Sequence, residues 1–395
     1  MKTWEQRKWI DVVDISTEMV NPTTGEYDNM PHIAPGNIES FTGRILDNVK
    51  TVKEEQLISG KFRFRPDDVV YGKINPQLGK YFYATVNGLT SADAYVFNGK
   101  NGLKQKFLFA LLQTSDFFKY SVSVSKRSGM PKINRDELNA YSFLMPSEEE
   151  QDRIGSYLLQ LDHLITLHQR KCEETKSLKK YMLQKMFPEN GNCVPKIRFS
   201  GFADAWEQRK LSDIYASIGN AFVGTATPYY VESGHFYLES NNIKDGQINH
   251  NSEIFINDEF YEKQKDKWLH TGDMVMVQSG HVGHAAVIPE ELDNSAAHAL
   301  IMFRHPKEKI EPYFLNYQYQ TNKSKKKIEE ITTGNTIKHI LASDMQEFVV
   351  DITNYDEQKK IGSYFQKLDH LITLHQHKCD ELQKLKKFML QNMFV

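Results

Sequence analysis

The sequence predicts a mixed α/β (α+β) protein built from two copies of one globular domain, each followed by a long helical arm. The first observation is an internal repeat: residues 151–187 align without a gap on residues 358–394, with 25 of 37 positions identical. The second is that apolar residues in both repeats recur at alternating spacings of three and four, which is typical of coiled-coil helices. The third is that short apolar runs flanked by Gly, Pro and Asn precede each arm, and these predict strands and turns.

The two halves start alike as well as finish alike. The block Trp-Glu-Gln-Arg-Lys occurs at residues 4–8 and again at residues 206–210. Weaker matches between these anchors keep their order, and Asp68, for example, corresponds to Asp273. A repeat of about 205 residues is too long for a solenoid unit, so each repeat is a whole domain with its arm.

Local patterns place elements inside each half. Strands are predicted at residues 68–71, 95–97, 273–277 and 285–288. Residues 103–120 and 312–331 are predicted to be helical. A shared aspartate, Asp68 or Asp273, is expected to form a turn at the start of a strand.

We expect the two arms to pack against each other as an antiparallel coiled coil, which would give one chain approximate two-fold symmetry. The residues predicted to form the seam are Leu158, Leu161, Ile165 and Cys172 in the first arm and Phe365, Leu368, Ile372 and Cys379 in the second. After a shift in phase, Leu178 and Met182 in the first arm and Leu385 and Met389 in the second are expected to continue the stripe. His168 and His375 fall in the same stripe. The histidines of each arm are five residues apart and so lie on different faces, which favours seam positions over a metal site.

The composition excludes several classes of protein. No apolar run approaches the roughly 20 residues that span a bilayer, so a cytoplasmic protein is expected. The three cysteines provide neither an even disulfide framework nor a paired metal-ligand spacing. The net charge of −2 does not indicate a nucleic-acid binder, so a DNA-binding face has to be local. Basic residues that could form one are Lys126, Arg127, Lys132, Arg135, Lys323, Lys325, Lys326, Lys327 and Lys338.

Motifs for catalysis are not found in the sequence. Residues 72–80 superficially resemble a phosphate-binding loop, but six residues separate the glycines where four are needed, and Tyr81 replaces the Ser or Thr. No Gly-x-Gly-x-x-Gly segment follows a predicted strand, and no Gly-x-Ser-x-Gly elbow is present. We therefore expect no catalytic residues, no metal site and no cofactor in this chain.

Residues 195–202, Pro-Lys-Ile-Arg-Phe-Ser-Gly-Phe, lead to Trp206, and Glu-Gln-x-x-Ile-Gly segments at residues 150–155 and 357–362 open the duplicated arms. In these marks, and along nearly its whole length, the chain resembles the specificity subunit of a type I restriction-modification system. One departure is that the lead-in is absent before Trp4.

The resemblance implies two target-recognition domains that each read one half of a split DNA sequence, while the arms set the spacing. On this interpretation residues 1–148 and 206–355 are the recognition domains, residues 149–187 and 356–395 are the arms, and residues 188–205 are a linker. The implied partners are double-stranded DNA, two methyltransferase subunits and restriction (translocase) subunits. S-adenosylmethionine and ATP with Mg²⁺ would bind to those partner subunits and not to this chain, which would not be an enzyme.

Candidate DNA-binding residues are the amide, hydroxyl and basic side chains at turns, because such groups contact base edges and phosphates. In the first half they are Lys73, Asn75, Lys126, Arg127, Ser128, Lys132 and Asn134. In the second half they are Ser240, Asn241, Asn242, Gln278, Ser279, His281, Thr333, Asn335, Thr336 and Lys338. Lys73 aligns with Gln278, which is expected if one surface is reused to read different bases.

Two other interpretations of the sequence remain open. The paired arms could be a scaffold that presents two domains for ligands other than DNA. The chain could also itself be a nuclease or methyltransferase, although this would require a cofactor site that the sequence does not display.

Overall fold

A computed structural model describes residues 4–126, 129–189, 191–334 and 337–394. The chain divides into two compact units. Unit 1 comprises residues 1–171 and 374–395, and unit 2 comprises residues 172–373. Along the described residues, no helix combines the length and the apolar character needed to cross a bilayer.

Unit 1 contains eleven of the strands that the described residues form, and five helices begin in it. The strands are β1 (Glu5–Lys8), β2 (Val13–Ile15), β3 (Met19–Val20), β4 (Pro31–His32), β5 (Lys50–Thr51), β6 (Lys61–Phe64), β7 (Val69–Gly72), β8 (Tyr81–Tyr83), β9 (Gly88–Thr90), β10 (Ala94–Gly99) and β11 (Ser142–Met145). The helices are α1 (Trp9–Val12), α2 (Gln105–Leu111), α3 (Ser115–Val124), α4 (Arg135–Asn139) and the arm α5 (Glu148–Lys185).

Unit 2 follows a similar order, with one more strand and one more α-helix among the described residues. Its strands are β12 (Glu207–Lys210), β13 (Tyr215–Asn220), β14 (Tyr230–Val231), β15 (His235–Leu238), β16 (Ile243–Lys244), β17 (Gln247–Ile248), β18 (Phe255–Ile256), β19 (Met274–Val277), β20 (Ala285–Val287), β21 (Ala296–Ala297), β22 (Leu300–Pro306) and β23 (Val349–Ile352). Its helices are α6 (Leu211–Ile214), α7 (Asp258–Glu262), α8 (Pro312–Tyr319), α9 (Asn322–Ile331), α10 (Ala342–Gln346) and the arm α11 (Tyr355–Asn392).

The central sheets of the two units have the same topology, as the repeat predicts. The strand order is β2-β10-β7-β8 in unit 1 and β13-β22-β19-β20 in unit 2. All residues of β7 and β19 are buried, because each strand has a neighbour on both sides and is covered on both faces. The Glu-Gln-Arg-Lys block forms β1 and β12, which pair antiparallel with β11 and β23 just before each arm. The start of each repeat is therefore fastened to its end.

The predicted helices at residues 103–120 and 312–331 are each two helices. Thr114 ends the first stretch and caps α3, since its hydroxyl accepts a hydrogen bond from the Phe117 N–H. Thr321 caps α9 in the same way by accepting from the Ser324 N–H. A threonine at an N-cap satisfies backbone donors that a continuous helix would not expose. Both stretches are helical as predicted, and each is divided into two helices at its threonine.

Each domain is fixed to its own arm by an equivalent glutamine. Gln151 accepts a hydrogen bond from the backbone N–H of Lys104 at 2.9 Å, and Gln358 accepts from that of Glu311 at 3.0 Å. Both glutamines are buried. These matching bonds show that positions 207 apart are structurally equivalent from α2 and α8 onward.

In each unit, one segment of α5 packs antiparallel against one segment of α11. Leu158, Leu161 and Ile165 are buried in the core of unit 1 together with Cys379. Phe365 and Leu368 are buried in the core of unit 2. Cys172 is buried as well, and its thiol lies 3.8 Å from the carbonyl oxygen of Ile372, which is itself only partly buried.

The antiparallel direction is marked by one ion pair in each unit. Asp162 pairs with Lys386 in unit 1, and Lys179 pairs with Asp369 at 2.6 Å in unit 2. The side chains of all four residues are at most 14% exposed. Asp369 is the repeat equivalent of Asp162, and Lys386 is that of Lys179, because the arms align at an offset of 207 residues. The two ion pairs are therefore equivalent.

Of the residues expected to continue the seam, Met182 and Met389 pack against the cores of units 2 and 1, but the expectation was wrong for Leu178 and Leu385. Leu178 is 45% exposed and Leu385 is 38% exposed. The neighbouring lysines, Lys179 and Lys386, turn inward to the aspartates in their place. The phase shift moves the inward-facing position by one residue, so the leucines lie on the outer side.

His168 and His375 face each other across the helix pair in unit 1. Their Nδ1 atoms are 3.0 Å apart, so one imidazole donates and the other accepts. Burial lowers the pKa of His168, and the nearby His375, Lys171 and Lys378 lower it further. His163 and His370 are exposed.

Replacing Lys386 by Met should destabilise unit 1 by about 3 kcal/mol, because it leaves the Asp162 carboxylate buried without its counter-charge. Urea unfolding would measure this loss. The double variant Asp162→Leu/Lys386→Met should recover most of it, since an apolar pair avoids the unpaired charge. Lys387→Met, an exposed neighbour on the same helix, is the control. Equal losses in Lys386→Met and Lys387→Met would contradict this account.

The thermal stability of the arms should fall as the pH drops below the ordinary imidazole pKa of about 6.5. Because folding lowers the pKa of His168, the unfolded chain binds the proton more readily, and the stability present at pH 7.5 is lost on acidification. Melting curves at pH 7.5 and 5.5 would show a smaller drop for His168→Gln than for the exposed control His163→Gln. The same drop in both variants would exclude His168 as a cause.

Candidate nucleic-acid interface

In unit 1, two turns that are distant in sequence form one short backbone ladder. The N–H of Ile133 donates to the carbonyl of Lys73 at 3.1 Å, and the N–H of Asn75 donates to that of Pro131 at 2.8 Å. Ile74 and Lys132 form an antiparallel bridge between these bonds. The ladder brings together three of the candidate residues, Lys73, Asn75 and Lys132.

Unit 2 builds the same ladder from the equivalent positions. The N–H of Ile340 donates to the carbonyl of Gln278 at 2.9 Å, and the N–H of Gly280 donates to that of Lys338 at 3.0 Å. Ser279 and His339 form the bridge. The three candidates Gln278, Ser279 and Lys338 therefore lie together. We call the two ladders, residues 73–75 with 131–133 and residues 278–280 with 338–340, the paired-turn frames.

The frame in unit 1 carries positive charge over an aromatic ring. The Lys73 ammonium lies 5.1 Å from the centre of the Tyr95 ring. Burial lowers the pKa of Lys73, Lys132 adds to this, and Asp93 opposes it. The Arg135 guanidinium donates hydrogen bonds to the carbonyls of Ile15 and Ser16, and these bonds stabilise the fold. Lys126 is exposed.

The frame in unit 2 carries imidazole, amide and hydroxyl groups. Thr333 and His339 exchange backbone hydrogen bonds of 2.9 and 2.8 Å, which places Thr333 beside the frame. His281, Thr333 and Lys338 are exposed. The frame therefore offers both donors and acceptors to solvent.

Sequence reasoning missed two residues next to this frame, His284 and Lys244. His284 accepts a hydrogen bond from the N–H of Asp245 at 3.2 Å, which joins the β16–β17 hairpin to β20. Burial lowers the pKa of His284, the Asp245 carboxylate opposes this, and His281, Lys325 and Lys244 lower it further. No local pattern could have found this basic group, because its members come from three separate segments.

Several of the candidate DNA-binding residues have a structural role instead. Asn242 is 2% exposed, and its amide donates to the carbonyls of Asn249 and Asn251. Asn37, its equivalent in unit 1, has the same kind of buried amide. Asn134 takes part in a capping box with Glu137 at the start of α4. Asn242 cannot reach a ligand, and Asn134 is committed to the helix end.

The remaining candidates fall into two groups. Ser240 and Asn241 lie in a separate 3₁₀ turn, Ser240–Asn242, that leads into β16. Asn241 is exposed and Ser240 is half-buried. Arg127, Ser128, Asn335 and Thr336 lie outside the described residues.

The carboxylates at the strand starts are turn residues, as the repeat predicts. Asp68 accepts from the N–H of Arg65 at 2.8 Å, and Asp273 accepts from that of His270 at 2.8 Å. Burial raises the pKa of both carboxylates. Among the described residues, no group of three or more His, Cys, Asp or Glu side chains is placed to hold a metal ion.

The fold and the frames define the class of this protein, a tandem pair of related α/β domains carried on helical arms. The family described as "Type I restriction modification DNA specificity domain" matches residues 1–177 and 203–384. The chain belongs to this family. The curated relatives that it matches are specificity subunits of type I restriction enzymes.

Individual relatives agree with this assignment. The chain is 33% identical over 158 residues to the type I restriction enzyme EcoDI specificity subunit of Escherichia coli, a match covering 40% of this chain and 34% of that protein. It is 22% identical over 309 residues to the MjaVIII specificity subunit of Methanocaldococcus jannaschii, covering 76% and 72%. The crystal structure of a type I restriction-modification S subunit from M. genitalium has the same fold, with a TM-score of 0.65 at 13% identity, covering 100% of this chain and 96% of that one.

Proposed function

We propose that this chain is the sequence-specific DNA-binding subunit of a type I restriction-modification complex and that each domain reads one half of a bipartite target. The observation that carries the proposal is the reuse of one paired-turn frame with different side chains. Lys73 in the first frame is at the position equivalent to Gln278 in the second, and Lys132 is at the position equivalent to His339. One backbone geometry with exchanged donors and acceptors suits readers of two different half-sites.

The chemistry of the exposed groups supports contact with DNA. Lysine ammonium groups neutralise phosphates, and the Gln278 amide can donate and accept at one base edge. The proposed contacts among the described residues are Lys73, Asn75, Lys126, Lys132, Ser240, Asn241, Gln278, Ser279, His281, Thr333 and Lys338. In this proposal residues 1–148 and 206–355 are the two readers, and residues 188–205 connect the first arm to the second reader.

The arms, residues 149–187 and 356–395, are proposed to set the half-site spacing and to dock two methyltransferase subunits. The support is an outer apolar stripe whose positions are equivalent in the two arms. Its exposed members are Leu164, Leu167, Leu178 and Tyr181 in the first arm and Leu371, Leu374, Leu385 and Phe388 in the second. Exposed apolar side chains gain nothing for the folded monomer, and a structural seam alone tolerates many substitutions. Three of the four equivalent positions are identical and the fourth is aromatic in both arms, which suits two copies of one partner.

Restriction (translocase) subunits would join the same complex. S-adenosylmethionine and ATP with Mg²⁺ would be bound by the partner subunits. In the proposed complex this chain contributes the DNA contacts and the docking surfaces.

The double variant Gln278→Ala/Ser279→Ala should lose or relax recognition of one half-site only, because it removes the side chains that one frame presents. Mapping methylated positions in the DNA of cells that carry the variant complex would measure this. Lys73→Ala is the matched change in the other frame and should affect the other half-site. If the double variant altered both half-sites equally, independent readers would be excluded.

The double variant Leu164→Ser/Leu371→Ser should reduce co-purification of methyltransferase subunits at least about tenfold while leaving thermal stability nearly unchanged, since both leucines are about 40% exposed. A pull-down of the assembled complex would measure it. Met130→Ser, an exposed apolar residue outside the arms, is the control. Full retention of the methyltransferase in the arm variant would count against this docking surface.

A further inference from the structure

Asp162 in unit 1 and Asp369 in unit 2 are equivalent residues of the arms, but they differ in one hydrogen bond. In unit 2, one oxygen of Asp369 accepts from Lys179 at 2.6 Å, and the other accepts from the Tyr317 hydroxyl at 2.8 Å. Burial and the Asp369 carboxylate raise the pKa of Tyr317, so its hydroxyl keeps its proton and donates. This carboxylate has a partner for each of its oxygens.

In unit 1, no tyrosine hydroxyl serves the equivalent aspartate, Asp162. One oxygen of Asp162 accepts from Lys386, whereas the other, Oδ2, is buried and has no hydrogen-bond partner among the described residues. The residue 207 positions before Tyr317 is Ala110, which has no hydroxyl to offer. A buried carboxylate oxygen without a donor is costly, and burial raises the pKa of Asp162 in spite of the lysine beside it.

Asp162 lines two neighbouring cavities of unit 1. One has a volume of about 520 Å³ and the other about 470 Å³, and Thr42 and Thr166 line both of them as well. Gln113 lines the larger cavity, and its Oε1 atom is a second buried acceptor without a partner. Its amide donates to the carbonyl of Phe109 at 3.2 Å and also approaches the Asp162 carboxyl, whose pKa it lowers. The polar atoms that lack partners here are therefore both acceptors.

An aromatic ring is held over the larger cavity at the cost of backbone strain. Phe41 has a φ of 64°, in the left-handed region that bulky residues avoid. Its N–H donates to the carbonyl of Gly79 at 2.9 Å, and its carbonyl accepts from the Tyr81 hydroxyl at 2.9 Å. These two bonds hold the strained residue, whose ring is 51% exposed and packs edge-on against Phe118. Such strain is typical of ligand-binding segments.

We propose that unit 1 binds a small, flat aromatic molecule that carries a hydroxyl or amino donor, of the phenol or arylamine class. The donor bonds to Asp162 Oδ2 as the Tyr317 hydroxyl bonds to Asp369, and the ring lies against Phe41, Phe118 and Leu390. This site does not depend on the proposed function.

The test uses 4-methylphenol, the side chain of tyrosine as a free molecule, with the full-length chain. We expect saturable binding by calorimetry, and binding at least about tenfold weaker for 4-methylanisole, whose ether oxygen cannot donate to the carboxylate. Equal affinity for the two compounds, or no saturable binding of 4-methylphenol, would overturn the proposal.

Exchanging the two equivalent residues gives a matched pair of variants. Ala110→Tyr should abolish binding of 4-methylphenol, and Tyr317→Ala should add a second site in unit 2. Unchanged binding by a folded Ala110→Tyr chain would exclude this location.

A surface variant keeps the test decisive if Ala110→Tyr does not fold. Phe41→Ala should weaken binding about fivefold or more, because the ring contributes part of the contact area. Ile58→Ala, an 85% exposed residue of unit 1 that does not line either cavity, should leave binding unchanged. Equal affinities of the Phe41→Ala and Ile58→Ala variants would contradict the proposed placement of the ligand.

Discussion

The buried pairing of one aspartate with one lysine across the arm helices is the constraint on which the rest of each unit depends. A parallel arrangement would bring like charges of two equivalent sequences together, whereas the antiparallel one joins Asp162 to Lys386 and Lys179 to Asp369. A buried charge without its partner is strongly unfavourable, so the pairs select the direction and the register of the helices. The glutamines Gln151 and Gln358 then fasten each domain to its arm.

Duplication makes the differences between the units informative. The backbone hydrogen bonds match in places such as the paired-turn frames. A side chain that differs there indicates a different role for that residue, because the fold is the same. Lys132 and His339 occupy one such position, and Ala110 and Tyr317 occupy another. The first difference lies on the surface and bears on what each domain recognises. The second lies in the interior and leaves one carboxylate oxygen without a donor in unit 1 alone.

Much of the fold could be predicted because it follows from local patterns. The strands at residues 69–72 and 274–277, both arm helices and the equivalence of the two halves are visible in periodicity and repetition. The candidate site was predicted less completely. Asn242 has the composition of a base-reading residue but is buried in a turn, and Leu178 fits the heptad but faces outward. His284 and Lys244 join the second frame only because a hairpin folds against a distant strand.

The sequence by itself determined that one domain and one arm occur twice, in which order, and that the arms carry matching apolar stripes. These properties depend on the spacing of residues along the chain, which is the same before and after folding. Only the tertiary structure decided which polar residues reach the surface, which face of each arm stays exposed, and that Asp162 lacks the donor its counterpart has. These depend on contacts that form only when the chain folds, between residues as far apart as Asp162 and Lys386, and no local spacing encodes such contacts.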